Sequence, residues 1–246
     1  MISLHCLPLA LAYQFERHLR QLIPSLQLQH WQRRRQHADQ LRSILAHAAT
    51  RLLLADKLSC PANTIRFSLQ SQGKPVLAAP SKGWHFNISH SGQWVVIALA
   101  RYPVGVDIEY HADSPEAGLL EHCFTAQEQM RIHSRSDFYH AWCSKEAALK
   151  AAGTGFQIAP LALELIPKDS NTATVRSEHS VLNGLHVARS LWQDSYSLAW
   201  SCAHPPHAVD LHELSAATLQ KHINRHDNTD NSPNLCNSSH YHEQYD

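Results

Sequence analysis

The chain has 246 residues, 43% hydrophobic and 17% charged, enough for one large domain or two small lobes around a substantial core. Its 21 basic and 21 acidic residues cancel, with a pI near 7.3, so no overall charge draws it to nucleic acid or to an anionic membrane. No apolar run reaches the length of a membrane span, no secretory signal opens the chain, and six cysteines form no Cys-x-x-Cys; free thiols and a cytoplasmic location are expected.

In chain order, residues 2–7 read as a short strand and 9–22 as a helix that Pro24 breaks. Across 36–57 the apolar positions Leu41, Ile44, Leu45, Ala48, Ala49, Leu52 and Leu53 recur at three and four, which predicts a long amphipathic helix. Residues 65–69 alternate as a strand, Gly73-Lys74-Pro75 is a turn, and a strand starting at Phe86 gives way to a turn holding Ser89 and His90. Residues 94–100 and 104–110 read as strands joined at Tyr102-Pro103. A first α/β lobe is therefore expected over 1–104.

A second lobe is expected over 105–208. Thr125 with Glu128 three residues on is a capping-box start for a short helix. Asp137 is placed to cap the helix carrying 142–150, which Gly153 and Gly155 end. Strand-like runs follow at 161–166, 172–175, 185–188 and 196–202. Over 209–246 a helix at 210–222 is expected, then a polar tail of Asn, Asp, Ser and His with little to bury. The 20 histidines are scattered, and only His240 and His242 approach a metal-ligand spacing.

In a strand, Asp107 and Glu109 point the same way, while Val106 and Ile108 point the other. In a helix, Trp142, Glu146 and Lys150 share one stripe, with Lys145 beside it. An isolated Asp-x-Glu is ordinarily the wet face of a strand. A helix offering a third carboxylate and two lysines turns the pair into a seat for a hard divalent cation against a phosphate, and three oxygen ligands with open positions suit Mg²⁺. The plainer reading of Lys145 and Lys150 is surface pairing worth about 0.2–0.5 kcal/mol each; Trp142 reads as a core anchor. A Ser-His pair hints at a hydrolase, but no Gly-x-Ser-x-Gly elbow accompanies Ser89-His90. Arg33, Arg34, Arg35 and Arg42 make the sole basic concentration, without a nucleic-acid motif around it.

Five segments together resemble the 4′-phosphopantetheinyl transferase superfamily of the two-lobed, monomeric, Sfp-like type. They are Gly73-Lys74-Pro75, Phe86-Asn87-Ile88-Ser89-His90-Ser91-Gly92, residues 105–109, Phe124-Thr125-Ala126-Gln127-Glu128, and residues 142–150 followed by Gly153-Thr154-Gly155. The resemblance implies an α/β (α+β) fold of two similar lobes related by pseudo-two-fold symmetry, with the active site in the cleft between them. It implies transfer of 4′-phosphopantetheine from coenzyme A to a serine of an apo acyl- or peptidyl-carrier protein. It assigns Asp107, Glu109 and Glu146 to Mg²⁺ (or Mn²⁺), and catalysis to Glu146, Lys150 and Asp107. Coenzyme A falls to Arg42, Lys74, Ser89, His90, Lys145, Arg33 and Arg34. No nucleic-acid or membrane partner is implied, and a two-lobed chain can act as a monomer. Another Mg²⁺-dependent phosphodiester enzyme, or a catalytically silent carrier-protein-binding protein, would share part of this pattern.

Overall fold

The computed structural model describes residues 1–32, 36–70, 72–80, 82–112, 118–205 and 209–227. The assignments to Arg33 and Arg34, and the polar tail from residue 228, lie outside the described residues. In chain order the elements are β1 (Ile2–Pro8), α1 (Ala10–Gln21), α2 (Ser25–Gln32), α3 (His37–Leu58), β2 (Arg66–Leu69), β3 (Pro75–Ala79), β4 (His85–Ser91), β5 (Trp94–Ala100), β6 (Val104–Tyr110), α4 (Leu119–Cys123), α5 (Ala126–Gln129), α6 (Arg135–Ala152), β7 (Leu163–Pro167), β8 (Thr172–Ser177), β9 (His186–Trp192), β10 (Tyr196–Cys202), β11 (Val209–Glu213) and α7 (Ala216–Asp227).

The fold is mixed α/β, built on two main sheets. One runs β11-β1-β5-β4 and the other β6-β10-β9-β8-β7, with a separate β2-β3 hairpin. Strand alternation decides how they stack. On β5, Val95, Ile97 and Leu99 enter a core shared with α1, α3 and α7. Its other face, Trp94, Val96, Ala98 and Ala100, packs with Ile2 and Leu4 of β1 against Val104, Val106 and Ile108 of β6 and Leu198 of β10. Beyond the second sheet, Cys143, Ala147 and Ala148 of α6 pack on Leu163, Val187 and Ala199. The layers are thus helices, sheet, sheet, helix. Each sheet has an edge strand at the same open side, β4 in one and β6 in the other.

Four local expectations are corrected. Strand β4 runs on through Ser91, so Ser89 and His90 lie in a strand and the turn comes at Gly92, where φ is 53°. Ser134, not Asp137, caps α6, accepting the Asp137 N–H at 3.1 Å. Helix α2 follows Pro24 where none was foreseen. The segment read as a helix over 210–222 is strand β11, pairing parallel to β1 from Ile2–Val209 to Cys6–Glu213, and then α7. Helix α7 returns to the first layer, with Leu219 and Ile223 in its core. Asp56 of α3 takes hydrogen bonds from His222, Arg225 and His226 of α7.

Candidate active site

The two edge strands are joined by side chains rather than by a backbone ladder. Asn87, Ser89 and Ser91 of β4 lie opposite Ala98, Val96 and Trp94 of β5, on the face turned toward the second sheet. Asn87 Oδ1 accepts the Val106 N–H at 2.8 Å, and Ser91 Oγ accepts the Tyr110 N–H at 3.0 Å. In this way the buried Val106 donor and the exposed Tyr110 donor on the free edge of β6 are satisfied. Between these rungs Ser89 Oγ donates to Asp107 Oδ1 at 2.7 Å, and Ser91 Oγ donates to Glu109 Oε2 at 3.0 Å.

Helix α6 brings the remaining groups. It lies hard against β6 at Gly105, where a Cβ would stand 2.0 Å from the Ala147 carbonyl oxygen and 2.4 Å from the Ala151 nitrogen. Only glycine admits that approach. The close contact presents Glu146 and Lys150 to the carboxylate face of β6. Lys150 Nζ donates to Asp107 Oδ1 at 2.6 Å and to Ser89 Oγ at 3.1 Å. Trp142 stands near Glu109 and helps hold its carboxyl down.

These groups line one cavity of about 390 Å³. Its lining combines Asp107, Glu109, Glu146 and Lys150 with Trp31, His47, Pro75, Ile88 and His90. Burial, then the charge of Asp107, pushes the Glu146 carboxyl up to about 7, against the pull of Lys150. Glu109 is likewise pushed up to about 7 by burial and Asp107, with Ser91, Lys150 and Trp142 working the other way. Burial lowers the Lys150 pKa, but Asp107 and Glu146 outweigh it and hold the ammonium above its ordinary value.

Among the described residues no group of three or more His, Cys, Asp or Glu side chains is already gathered into a chelating arrangement. Asp107 Oδ2 and Glu146 Oε1 nevertheless lie buried without a hydrogen-bond partner. Three ionised carboxylates and one ammonium in this cavity sum to −2. Unpartnered hard oxygens and that charge fit a divalent cation such as Mg²⁺.

Comparison with known proteins identifies the family. Residues 12–101 match the family described as "4′-phosphopantetheinyl transferase, N-terminal", and residues 103–208 match the "4′-phosphopantetheinyl transferase superfamily". The chain belongs to the 4′-phosphopantetheinyl transferase superfamily. It is 32% identical to 4′-phosphopantetheinyl transferase psf-1 of Bacillus pumilus over 56% of this chain and 61% of that one. It is 28% identical to 4′-phosphopantetheinyl transferase Sfp of Bacillus subtilis (strain 168) over 74% of this chain and 82% of that one. To the L-aminoadipate-semialdehyde dehydrogenase-phosphopantetheinyl transferase of Homo sapiens it is 34% identical over 70% and 58% respectively. The chain thus spans 61% and 58% of the length of two of these three relatives.

Within this superfamily member, the structure brings Asp107, Glu109, Glu146, Lys150, Ser89 and His90 to one cavity and leaves three other expected residues outside it. Lys145 is fully buried on the far side of α6, its Nζ within 3.0 Å of Glu128 Oε2 and the carbonyls of Cys123, Pro160 and Leu163. It cannot meet a phosphate from there. Lys74 turns to the end of α6, donating to the carbonyls of Lys150 and Val104, a favourable place for a cation at a helix C-terminus. Burial, then the nearness of Lys150, brings its pKa down to about 8. Arg42 pairs with Asp39 and donates through Nε to the Gly92 carbonyl at 2.8 Å, so it braces the turn after β4. Ser89 serves Asp107 and Lys150, while His90 stays exposed within the cavity. Trp142 does both jobs: it lines the cavity and, as the expected anchor, packs partly buried against the cluster of Cys123, Phe124, Phe138 and Tyr139.

Sequence reasoning missed Asn87, Ser91, Trp31 and His47. The alternation of Asn87, Ser89 and Ser91 was a readable signal for the first two. Nothing local announced the others.

Proposed function

We propose that this chain transfers the 4′-phosphopantetheine group of coenzyme A to a serine hydroxyl of an apo acyl- or peptidyl-carrier protein, releasing adenosine 3′,5′-bisphosphate. The observation that carries this reading is the convergence of Asp107, Glu109, Glu146 and Lys150, from strand β6 and helix α6, on one cavity at the open edge of both sheets. The serine oxygen bonds to the β-phosphorus, the bond from that phosphorus to the oxygen bridging to the α-phosphate breaks, and the hydroxyl proton passes to a carboxylate. Glu146 suits that last task. Its pKa near 7 matches the operating pH of a general base, and Oε1 has no protein partner. Lys150, kept charged by Asp107, offsets the negative charge gathering on the departing α-phosphate.

Asp107, Glu109 and Glu146 would hold Mg²⁺ or Mn²⁺, which when bound neutralises the pyrophosphate and orients it for in-line attack. His90 is placed to meet the nucleotide end of the substrate, and Arg42 supports the turn beside it. One chain supplies every group named, so the working form is a monomer. Five described cysteines, Cys6, Cys60, Cys123, Cys143 and Cys202, are free, and among the described residues no helix is long and apolar enough to cross a membrane; a cytoplasmic enzyme accords with both.

The test is mass spectrometry of apo acyl- and peptidyl-carrier proteins incubated with this protein, coenzyme A and Mg²⁺. A mass gain of about 340 Da on the carrier serine is expected. Coenzyme A binding with no mass gain on any carrier would reduce the protein to a silent binder.

A further inference from the structure

Ser91 is the last residue of β4 and is only partly buried. Its single hydroxyl makes two contacts across the seam, each at 3.0 Å, with the Tyr110 N–H and with Glu109 Oε2. A hydroxyl has one proton and two lone pairs. An amide N–H can only donate, so the Tyr110 contact uses a lone pair and the Ser91 proton is left for the Glu109 carboxylate. Trp142 of α6 neighbours the same carboxylate and helps hold its pKa down. Glu109 thus takes its geometric hydrogen bond from Ser91, while its neighbour Asp107 shares Ser89 with Lys150.

This arrangement has the form of an outer-sphere partner that orients a metal-binding carboxylate. We infer that Ser91 is a positioning residue for Glu109: tied to the β6 backbone at Tyr110, it fixes the carboxylate in one orientation and thereby raises the affinity of the cavity's carboxylates for a divalent cation. The inference rests on the reading of Asp107, Glu109 and Glu146 as the cation's ligands. The chemistry is specific to a hydroxyl at the point where two sheets meet without a backbone ladder. An alanine there would leave the exposed Tyr110 amide to solvent and Glu109 free to turn about its side-chain torsions; a threonine would keep the hydroxyl and suits a strand.

The experiment compares wild-type, Ser91→Ala and Ser91→Thr proteins, each checked by thermal melting. Two quantities are read: the Mn²⁺ dissociation constant by calorimetry with coenzyme A present, and the Mg²⁺ concentration giving half-maximal carrier modification. Loss of an outer-sphere partner weakens metal binding roughly 10–100-fold. Ser91→Ala is accordingly expected to raise both quantities about ten-fold while lowering the rate at saturating Mg²⁺ much less, and Ser91→Thr to restore both. A folded Ser91→Ala protein with wild-type Mn²⁺ affinity overturns the inference. So does one whose rate falls at saturating Mg²⁺ with unchanged metal dependence. Wild-type protein that binds Mn²⁺ in a Ser91-dependent way yet modifies no carrier upholds the inference and removes the transferase reading instead. Wild-type protein that binds no Mn²⁺ removes the cation site and the inference together.

Discussion

Helix α6 carries two lysine–carboxylate pairs of opposite character. Lys145 and Glu128 sit in the interior with every charged atom engaged. Glu128 Oε2 accepts from Lys145 at 2.7 Å and from the Thr125 N–H at 2.9 Å, and Oε1 accepts the Leu165 N–H at 2.9 Å. The capping box of α5 is thus also the anchor that ties α5, α6 and β7 together. Lys150 and Asp107 are as close, at 2.6 Å, but Asp107 Oδ2 and the adjacent Glu146 Oε1 have no partner. A fully satisfied buried pair specifies structure, whereas an incompletely satisfied one keeps coordination capacity for something that arrives from outside.

The contrast can be broken at either end. On the open side, Asp107→Ala or Glu146→Ala is expected to cut carrier modification by about 10³-fold or more in protein that thermal melting shows to be folded; near-normal turnover in either variant would remove these residues from the chemistry. On the closed side, Lys145→Met strands the Glu128 carboxylate and is expected to cost about 3–5 kcal/mol of stability, seen in urea unfolding. Its activity should fall only with the unfolded fraction.

A smaller effect comes from pH. The Glu146 pKa is raised from 4.5 to about 7 in the folded protein, so the native state holds this proton more tightly than the unfolded chain. Stability in EDTA should therefore decline as pH rises from about 4.5 to about 7 and level off above that. Glu146→Gln should make that decline shallower, leaving the share due to Glu109, whose carboxyl is also pushed up to about 7, and apparent Mg²⁺ affinity should climb across the same range because ligands must lose their protons. The smallest change expected is Trp142→Phe, which removes the indole beside Glu109 and keeps most of the wall. A few-fold rise in the Mg²⁺ requirement would separate this role from that of the anchor, whose loss would show in melting temperature.

Much of the site was legible because it obeys two local periods. Residues two apart on a strand placed Asp107 and Glu109 together, and residues four apart on a helix aligned Glu146 with Lys150. Lys145 was misjudged for the same reason: consecutive helical residues face different directions, and only the packed position of α5 shows that its side is the interior one. Lys74 and Arg42 lie outside the cavity lining and cap carbonyls, a placement that sequence does not reveal because a cation beside a turn looks the same there in either role. Strand β11 was read as a helix because its partner, β1, lies some two hundred residues away, and such pairing overrides local preference. Helix α2 has only Leu26, Leu28 and Trp31 as large apolar residues, too few to set a period.

The parallel pairing of β11 with β1 also bears on how the molecule is made. Strand β1 must wait for residues 209–213 before its outer neighbour exists, whereas β7 to β10 pair each with the next as they emerge, and β6 joins once β10 is made. During synthesis, then, the later sheet can mature ahead of the earlier one, and shortening the chain to residue 208 would bare the backbone of β1 to other chains, inviting aggregation rather than a clean loss of activity.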